Sequence, residues 1–271
     1  MNMDYQNFEV EIHNRIAQVR FNRPNKANAL NQASWAEMPN LFQALSDNPE
    51  VRVVVLSGNG KHFCAGIDVQ FFASINPAHI KDEARKRESV YHTILWLQRA
   101  VNAIEACRKP VIAAINGGCI GAGLDIAAAC DFRLCSAEAY FVLKEIDLGM
   151  VADLGSLQRL PKIMPDGMVR QMAYTGEPLG AAEAHRLGLV NQVYPEASDL
   201  KEQAFQMAWK IAEKSPLAIR GTKQVLNHAR EHRVMDSLDY VATWNAATIL
   251  GNDLMKAVQA SFTKQTPEFE D

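Results

Sequence analysis

The chain lacks the features that would organise it by covalent links or by charge. Its five cysteines, Cys64, Cys107, Cys119, Cys130 and Cys135, are odd in number and show neither C-x-x-C spacing nor a companion histidine pattern. That argues against a disulfide framework or a zinc site, and leaves them as small buried hydrophobes. No stretch approaches about eighteen uninterrupted apolar residues, so no membrane span is expected. The opening MNMDYQNFEVEIHNR has no basic region followed by an apolar run, and the final PEFED is not an S-K-L type signal. The expected location is therefore cytoplasmic. With 28 basic and 31 acidic side chains the net charge is only -3, which argues against a dominant grip on nucleic acid or an anionic membrane. G-x-S-x-G elbows and Walker-type phosphate loops are missing too.

What is present is apolar bulk: 271 residues, 48% of them hydrophobic, are enough for a large core with a helical appendage. Two alternating segments at 8–13 and 15–21 read as an N-terminal hairpin, and a helix follows over 31–46. The β-branched run VRVVVL at 51–56 and the apolar VIAAIN at 111–116 suit strands buried on both faces, with a helix over 82–107 between them. A glycine-rich turn, GGCIGAG, feeds a short helix over 124–129. DFRLC and AYFVL are further strands, and LGSLQRLPKIM begins a helix. Strands alternating with helices predict an α/β architecture with a largely parallel sheet. After residue 194 the pattern becomes helical, over 197–214, 216–231 and 234–262. Pro195 thus divides an expected α/β core, 1–195, from a helical part, 196–271, whose apolar faces need cover from the core or from a neighbouring subunit.

Three carboxylates stand in this otherwise apolar, glycine-punctuated region: Asp125 in GAGLDIAAACD, Glu145 in FVLKEIDLG and Asp153 in MVADLGSLQRL. Burying acids is costly unless they are paired, protonated or useful, so the trio points to proton transfer. Each also has a plainer reading. Asp125 suits the first turn of a helix, Asp153 the N-cap of a helix beginning at Leu154, and Glu145 a solvated loop beside Lys144. Gly121-Ala122-Gly123 falls short of a dinucleotide fingerprint because Ile126 occupies the place of its third small residue. The turn instead offers N–H donors at a helix start, and the loop Cys64-Ala65-Gly66-Ile67-Asp68 offers a second set. One amide from each would make an oxyanion hole without a nucleophile. His228 and His232 lie four apart, but Ala229 replaces the glutamate of a zinc-protease motif, so a solvated helix face is expected and no metal site.

The motifs FNRPNKANALN at 21–31, HFCAGIDV at 62–69 and the stretch VIAAINGGCIGAGLDIAAACDFRLCSAEAYFVLKEIDLG at 111–149 resemble the crotonase, or enoyl-CoA hydratase/isomerase, superfamily. The resemblance runs from about residue 8 to 262. It implies an α/β fold of spiralling ββα units, with a helical C-terminal part that forms a homotrimer or a dimer of trimers. An acyl-CoA thioester is the implied substrate, with coenzyme A part of that substrate and no cofactor, nucleic acid or membrane as partner. Asp125, Glu145 and Asp153 together are most similar to the superfamily's dienoyl-CoA isomerases, whose reaction moves a proton from C2 to the distant C6. Hydratases carry Glu at the first two positions and commonly glycine at the third, and 2-enoyl-CoA hydration is the alternative. A non-catalytic RNA-binding homologue is a further alternative, opposed by the net charge and the intact acids. The resemblance places the thioester oxygen between the amides of Ile67 and Ala122, the latter glycine in relatives. Ala65, Gly66, Asp68 and Val69 line the substrate, and Arg23, Lys26 and Lys264 are candidates to meet the CoA phosphates.

Overall fold

A computed structural model describes residues 5–75 and 77–271. The chain opens with strands β1 (Phe8–His13) and β2 (Ile16–Phe21), paired antiparallel. Asn14 and Arg15 between them both take positive φ, 52° and 65°, the backbone that a two-residue hairpin turn demands. Strands β3 (Val53–Gly58), β4 (Val111–Ile115), β6 (Phe132–Ser136) and β9 (Gln192–Tyr194) then add in parallel, giving the order β1-β2-β3-β4-β6-β9. A smaller sheet, β5-β7-β8, is built from β5 (Gly118–Ile120), β7 (Tyr140–Val142) and β8 (Leu179–Gly180). The chain therefore alternates between sheets, β4 to β5 and β6 to β7, with a helix returning after each pair. That is the ββα turn the resemblance implies.

Helix α1 (Gln32–Asp47) begins where Asn31 accepts a hydrogen bond from the Ser34 amide, and α3 (Glu83–Ala106) where Asp82 accepts from that of Arg85. They bury Trp35, Met38, Leu41, Leu97, Val101 and Ile104 against one face of the large sheet. The short α2 (Val69–Ser74) and α4 (Ala122–Ala129) follow the two glycine-marked loops, and every residue of α4 is buried. The helix expected from Leu154 begins two residues later, as α5 (Ser156–Arg159). Asp153 is not its cap: Gly155 holds that place with φ 124°, and the Ser156 amide donates to Asp125. Helices α6 (Asp166–Thr175) and α7 (Ala181–Arg186), with β8 and β9, add to the elements that the sequence predicts.

Beyond Pro195, α8 (Ala197–Ala212) lays Leu200, Ala204, Ala208 and Ala212 on the second face of the large sheet, against Val53, Val55, Ile112 and Leu134. This helix completes the sheet's core. Helices α9 (Pro216–Ala229), α10 (Val234–Thr248) and α11 (Asn252–Thr263) are different. The single helix expected over 234–262 is broken at 249–251, and Val234, Met235 and Phe262 on the helices and Leu250 in the break are exposed. Among the described residues no helix is long and apolar enough to cross a membrane.

Candidate active site

The loop after β3 and the turn after β5 run side by side. Leu30 donates its amide to the Gly66 carbonyl and accepts from the Asp68 amide, a parallel bridge that turns the Ile67 amide away from Leu30. Gly66 has φ 90°, and a Cβ there would lie 2.8 Å from the Ile120 carbonyl oxygen and 3.4 Å from the Ala122 nitrogen. Glycine at 66 is thus what lets the two backbones approach. Ala122 is the first residue of α4, so its amide has no partner inside the helix. Among the described residues neither the Ile67 nor the Ala122 amide donates to another protein group. Two free donors from adjoining loops can serve one carbonyl oxygen.

Glu145 starts the short 3-10 helix after β7, and a Cβ on Gly121 would sit 3.1 Å from its Oε1. Its carboxyl therefore lies against the turn that presents the Ala122 amide. Oε2 is buried without a hydrogen-bond partner. Lys144 pairs with Asp147 at 2.5 Å instead, so the solvated-loop reading of Glu145 does not hold. Burial pushes the Glu145 carboxyl up, and the Asp153 charge adds to the rise. On its outer side an apolar cavity of about 300 Å³ is lined by Leu143, Met150, Leu157, Val169 and Tyr174.

Asp125 lies one turn along α4 and is fully buried. Its Oδ1 accepts from the Ser156 amide at 2.6 Å, and Oδ2 has no partner. Burial raises this carboxyl to about 7; the Glu145 and Asp153 charges push the same way, against the stabilising bond from Ser156. Asp153 is half-buried, raised by burial, and its backbone carbonyl accepts from Gln98 Nε2 at 2.7 Å. It stands in the wall of a polar cavity of about 310 Å³ shared with Gln98, Asn102, Glu105 and Arg159. The Asp153 charge raises both Asp125 and Glu145, and the Glu145 charge raises Asp125, an arrangement that favours one carboxyl keeping its proton while another is ionised.

At the opposite end, Asp68 caps α2 through the Gln70 amide at 3.0 Å and pairs with Arg23 at 3.0 Å. Although burial opposes it, those two partners and Lys26 hold the Asp68 carboxyl below its usual range. Lys26 is exposed beside this pair, Val69 is exposed on the first turn of α2, and the Ala65 amide is spent on the Ala27 carbonyl at 3.0 Å. Lys264 is not brought to this group. It caps the end of α11, and the segment after it runs to Phe269, whose carbonyl accepts from Arg15 and Arg52 at the opposite, N-terminal end of β2 and β3.

His228 and His232 stack on each other at 3.7 Å, and His228 stacks on Tyr240 at 4.2 Å; no group of three or more His, Cys, Asp or Glu able to hold a metal occurs among the described residues. Ser156 and Gln98, which fix Asp125 and the Asp153 segment, escape the sequence reading because each contact spans 31 or 55 residues with no local pattern.

The family model for enoyl-CoA hydratase/isomerase matches residues 11–271. The chain belongs to that family. It is 46% identical over 250 residues to the peroxisomal Delta(3,5)-Delta(2,4)-dienoyl-CoA isomerase of Arabidopsis thaliana, covering 92% of this chain and 90% of the relative. It is 44% identical over 248 residues to the mitochondrial isomerase of the same name from Homo sapiens, covering 91% and 76%. Among solved structures, an enoyl-CoA hydratase from Bacillus anthracis superposes with a TM-score of 0.89 at 31% identity, covering 98% of this chain and 99% of the other. The spiral of ββα turns is thus the family's fold.

Proposed function

We propose that the protein isomerises 3,5-dienoyl-CoA thioesters to 2,4-dienoyl-CoA, a step in the β-oxidation of unsaturated fatty acids. The Ile67 and Ala122 amides hold the thioester oxygen and stabilise the dienolate formed when a C2 proton leaves. Glu145 takes that proton. The electron pair passes along the conjugated chain, so that the C3–C4 and C5–C6 double bonds become C2–C3 and C4–C5, and Asp153 delivers a proton at C6. Asp125 orients and electrostatically tunes the pair. The thioester is the electron sink, so no cofactor takes part in this scheme.

The observation that carries the proposal is the third acid: Asp153 lies close enough to Asp125 and Glu145 for its charge to act on both. A hydratase needs two acids around one water at C2 and C3. It has no use for a proton donor farther along the chain. Likeness to the Bacillus anthracis hydratase supports 2-enoyl-CoA hydration as the second reading. Purified protein given 3,5-octadienoyl-CoA and, separately, crotonyl-CoA decides between them by diene and enoyl absorbance. Diene isomerisation should be far faster; hydration that matches or exceeds it favours the second reading.

Arg23, Lys26 and Lys264 are proposed to meet the CoA phosphates, with Ala65, Gly66, Asp68 and Val69 along the pantetheine path. Because Lys264 is remote from the other two cations, it would act on the site of a neighbouring subunit, in keeping with a homotrimer or dimer of trimers built on the exposed faces of α9–α11. Sedimentation measures that assembly. The cytoplasmic location stands as a proposal beside relatives named for the peroxisome and mitochondrion, and fractionation of the source cells tests it.

A further inference from the structure

The segment 153–156 is held at every step. Gln98 donates to the Asp153 carbonyl at 2.7 Å, Arg159 Nη1 to the Leu154 carbonyl at 3.4 Å, and the Ser156 amide to Asp125 at 2.6 Å. Arg159 is in turn fastened to α3: its Nη2 donates to Asn102 Oδ1 and to Glu105 Oε2, each at 2.7 Å, and its Nε to Glu105 Oε2 at 3.1 Å. Gln98, Asn102 and Glu105 follow one another at i, i+4 and i+7, a single stripe along α3. That stripe grips the Asp153 segment directly at Gln98 and through a guanidinium fork at the other two positions.

Gly155 explains why the fork matters. Its φ of 124° admits glycine alone, and a Cβ there would fall 1.9 Å from Arg159 Nη1. The most pliable residue in the segment therefore sits two places from Asp153, with the guanidinium lying over it. The Arg159 side chain is only 11% exposed, and α3 anchors it on the far side.

We propose that Arg159 is a positioning residue for proton delivery at C6, fixing the reach of Asp153 by clamping Leu154 and Gly155 against α3. The inference rests on the reading that Asp153 serves C6. Arg159 touches no reacting atom. Its loss lets the Gly155 pivot relax, which displaces the C6 donor and leaves Glu145, held by β7 and the Gly121 turn, where it was.

Arg159→Met removes the fork and keeps much of the stem, and Arg159→Lys keeps the charge without the planar geometry that reaches Leu154 and α3 together. Arg159→Met leaves Glu105 with Arg230 as its remaining cation, and where that variant fails to fold, Arg159→Lys decides. In each folded variant, kcat for 3,5-octadienoyl-CoA should fall roughly 10- to 100-fold, with KM and the exchange of C2 protons in deuterated buffer within about twofold of wild type. Damage to the fold alone would slow C2 exchange and isomerisation together, and that result overturns the inference, as does unchanged kcat in either folded variant. Asp153→Asn is the reference. If it turns over normally, the reading that Asp153 serves C6 fails and Arg159 loses its role with it. If Asp153→Asn is slow and the Arg159 variants are not, the positioning role alone is wrong.

Discussion

Asp68 and Asp125 both stand at the starts of short helices, α2 and α4, on neighbouring loops, and the two carboxyls are driven in opposite directions. Asp68 accepts from the Gln70 amide, pairs with Arg23 and is held low. Asp125 also accepts a backbone amide, yet Arg159, which feels its charge, forms no ion pair with it; it lies fully buried next to two further acids and is raised to about 7. A helix start and one amide bond favour an anion by about 1 kcal/mol. Desolvation and like charges outweigh that at Asp125. The mouth of the proposed site thus holds an anion, and its floor holds a carboxyl that keeps its proton towards neutral pH.

The sharpest way to break this contrast is to neutralise the floor. Glu145→Gln and Asp153→Asn should each lower isomerase kcat by roughly 10²- to 10⁴-fold, because an amide neither takes nor gives the proton. Both should leave thermal stability near wild type or above it, since each removes one of several mutually repelling acids. The Asp153→Asn enzyme should still exchange C2 protons with deuterated solvent, and Glu145→Gln should not. The reverse pattern would exchange the two roles.

Asp125 makes the next largest difference, and it appears in stability against pH. An acid whose pKa is raised by folding keeps its proton longer in the folded chain than in the unfolded one. Its contribution is complete below about pH 4 and is lost as pH rises towards 7, by about 4 kcal/mol for a rise from 3.8 to about 7. Asp125→Asn keeps an oxygen for the Ser156 amide and adds a buried amide donor without a partner, which costs about 1–3 kcal/mol. The loss exceeds that cost at high pH only. Asp125→Asn should therefore melt below wild type at pH 5 and above it at pH 8; a Tm difference that does not vary with pH would place Asp125 among ordinary carboxylates.

The difference between the two helix starts also shows what sequence can disclose. Helices α1 and α3 are legible because Asn31 and Asp82 cap long apolar-periodic runs, and β3 and β4 because β-branched and apolar runs between turn signals suit doubly buried strands. The two- and three-residue strands β8 and β9 are too short to show a period at all. The acid trio is legible as a solvation cost. Its geometry is not, because Asp125 accepts from the Ser156 amide 31 residues away and the expected cap at Asp153 gives way to Gly155. The division at Pro195 follows a real change of pattern, yet α8 just beyond it covers the sheet.

Gly66 joins mouth to floor, and its replacement should have a smaller effect than loss of an acid. Alanine at φ 90° is strained by about 1–3 kcal/mol, and its Cβ would press on the Ile120 carbonyl beside the Ala122 amide. Gly66→Ala should lower Tm and kcat together. An unchanged kcat would mean that the Ile67 amide does not hold the thioester oxygen.

The smallest effect belongs to the mouth. The Arg23–Asp68 pair is partly exposed, with side chains 20% and 13% accessible, so it contributes about 1 kcal/mol or less to stability. Asp68→Asn keeps an oxygen to cap α2 and frees Arg23 of its ion pair while leaving it on the Ala29 carbonyl, whereas Arg23→Met removes the cation. If the arginine serves only Asp68, the two variants should behave alike and leave KM unchanged. If it also meets the CoA phosphates, Arg23→Met should raise KM by about fivefold with kcat intact, the equivalent of about 1 kcal/mol, and Asp68→Asn should leave KM level or lower it. Equal KM values in the two variants would confine Arg23 to holding the loop.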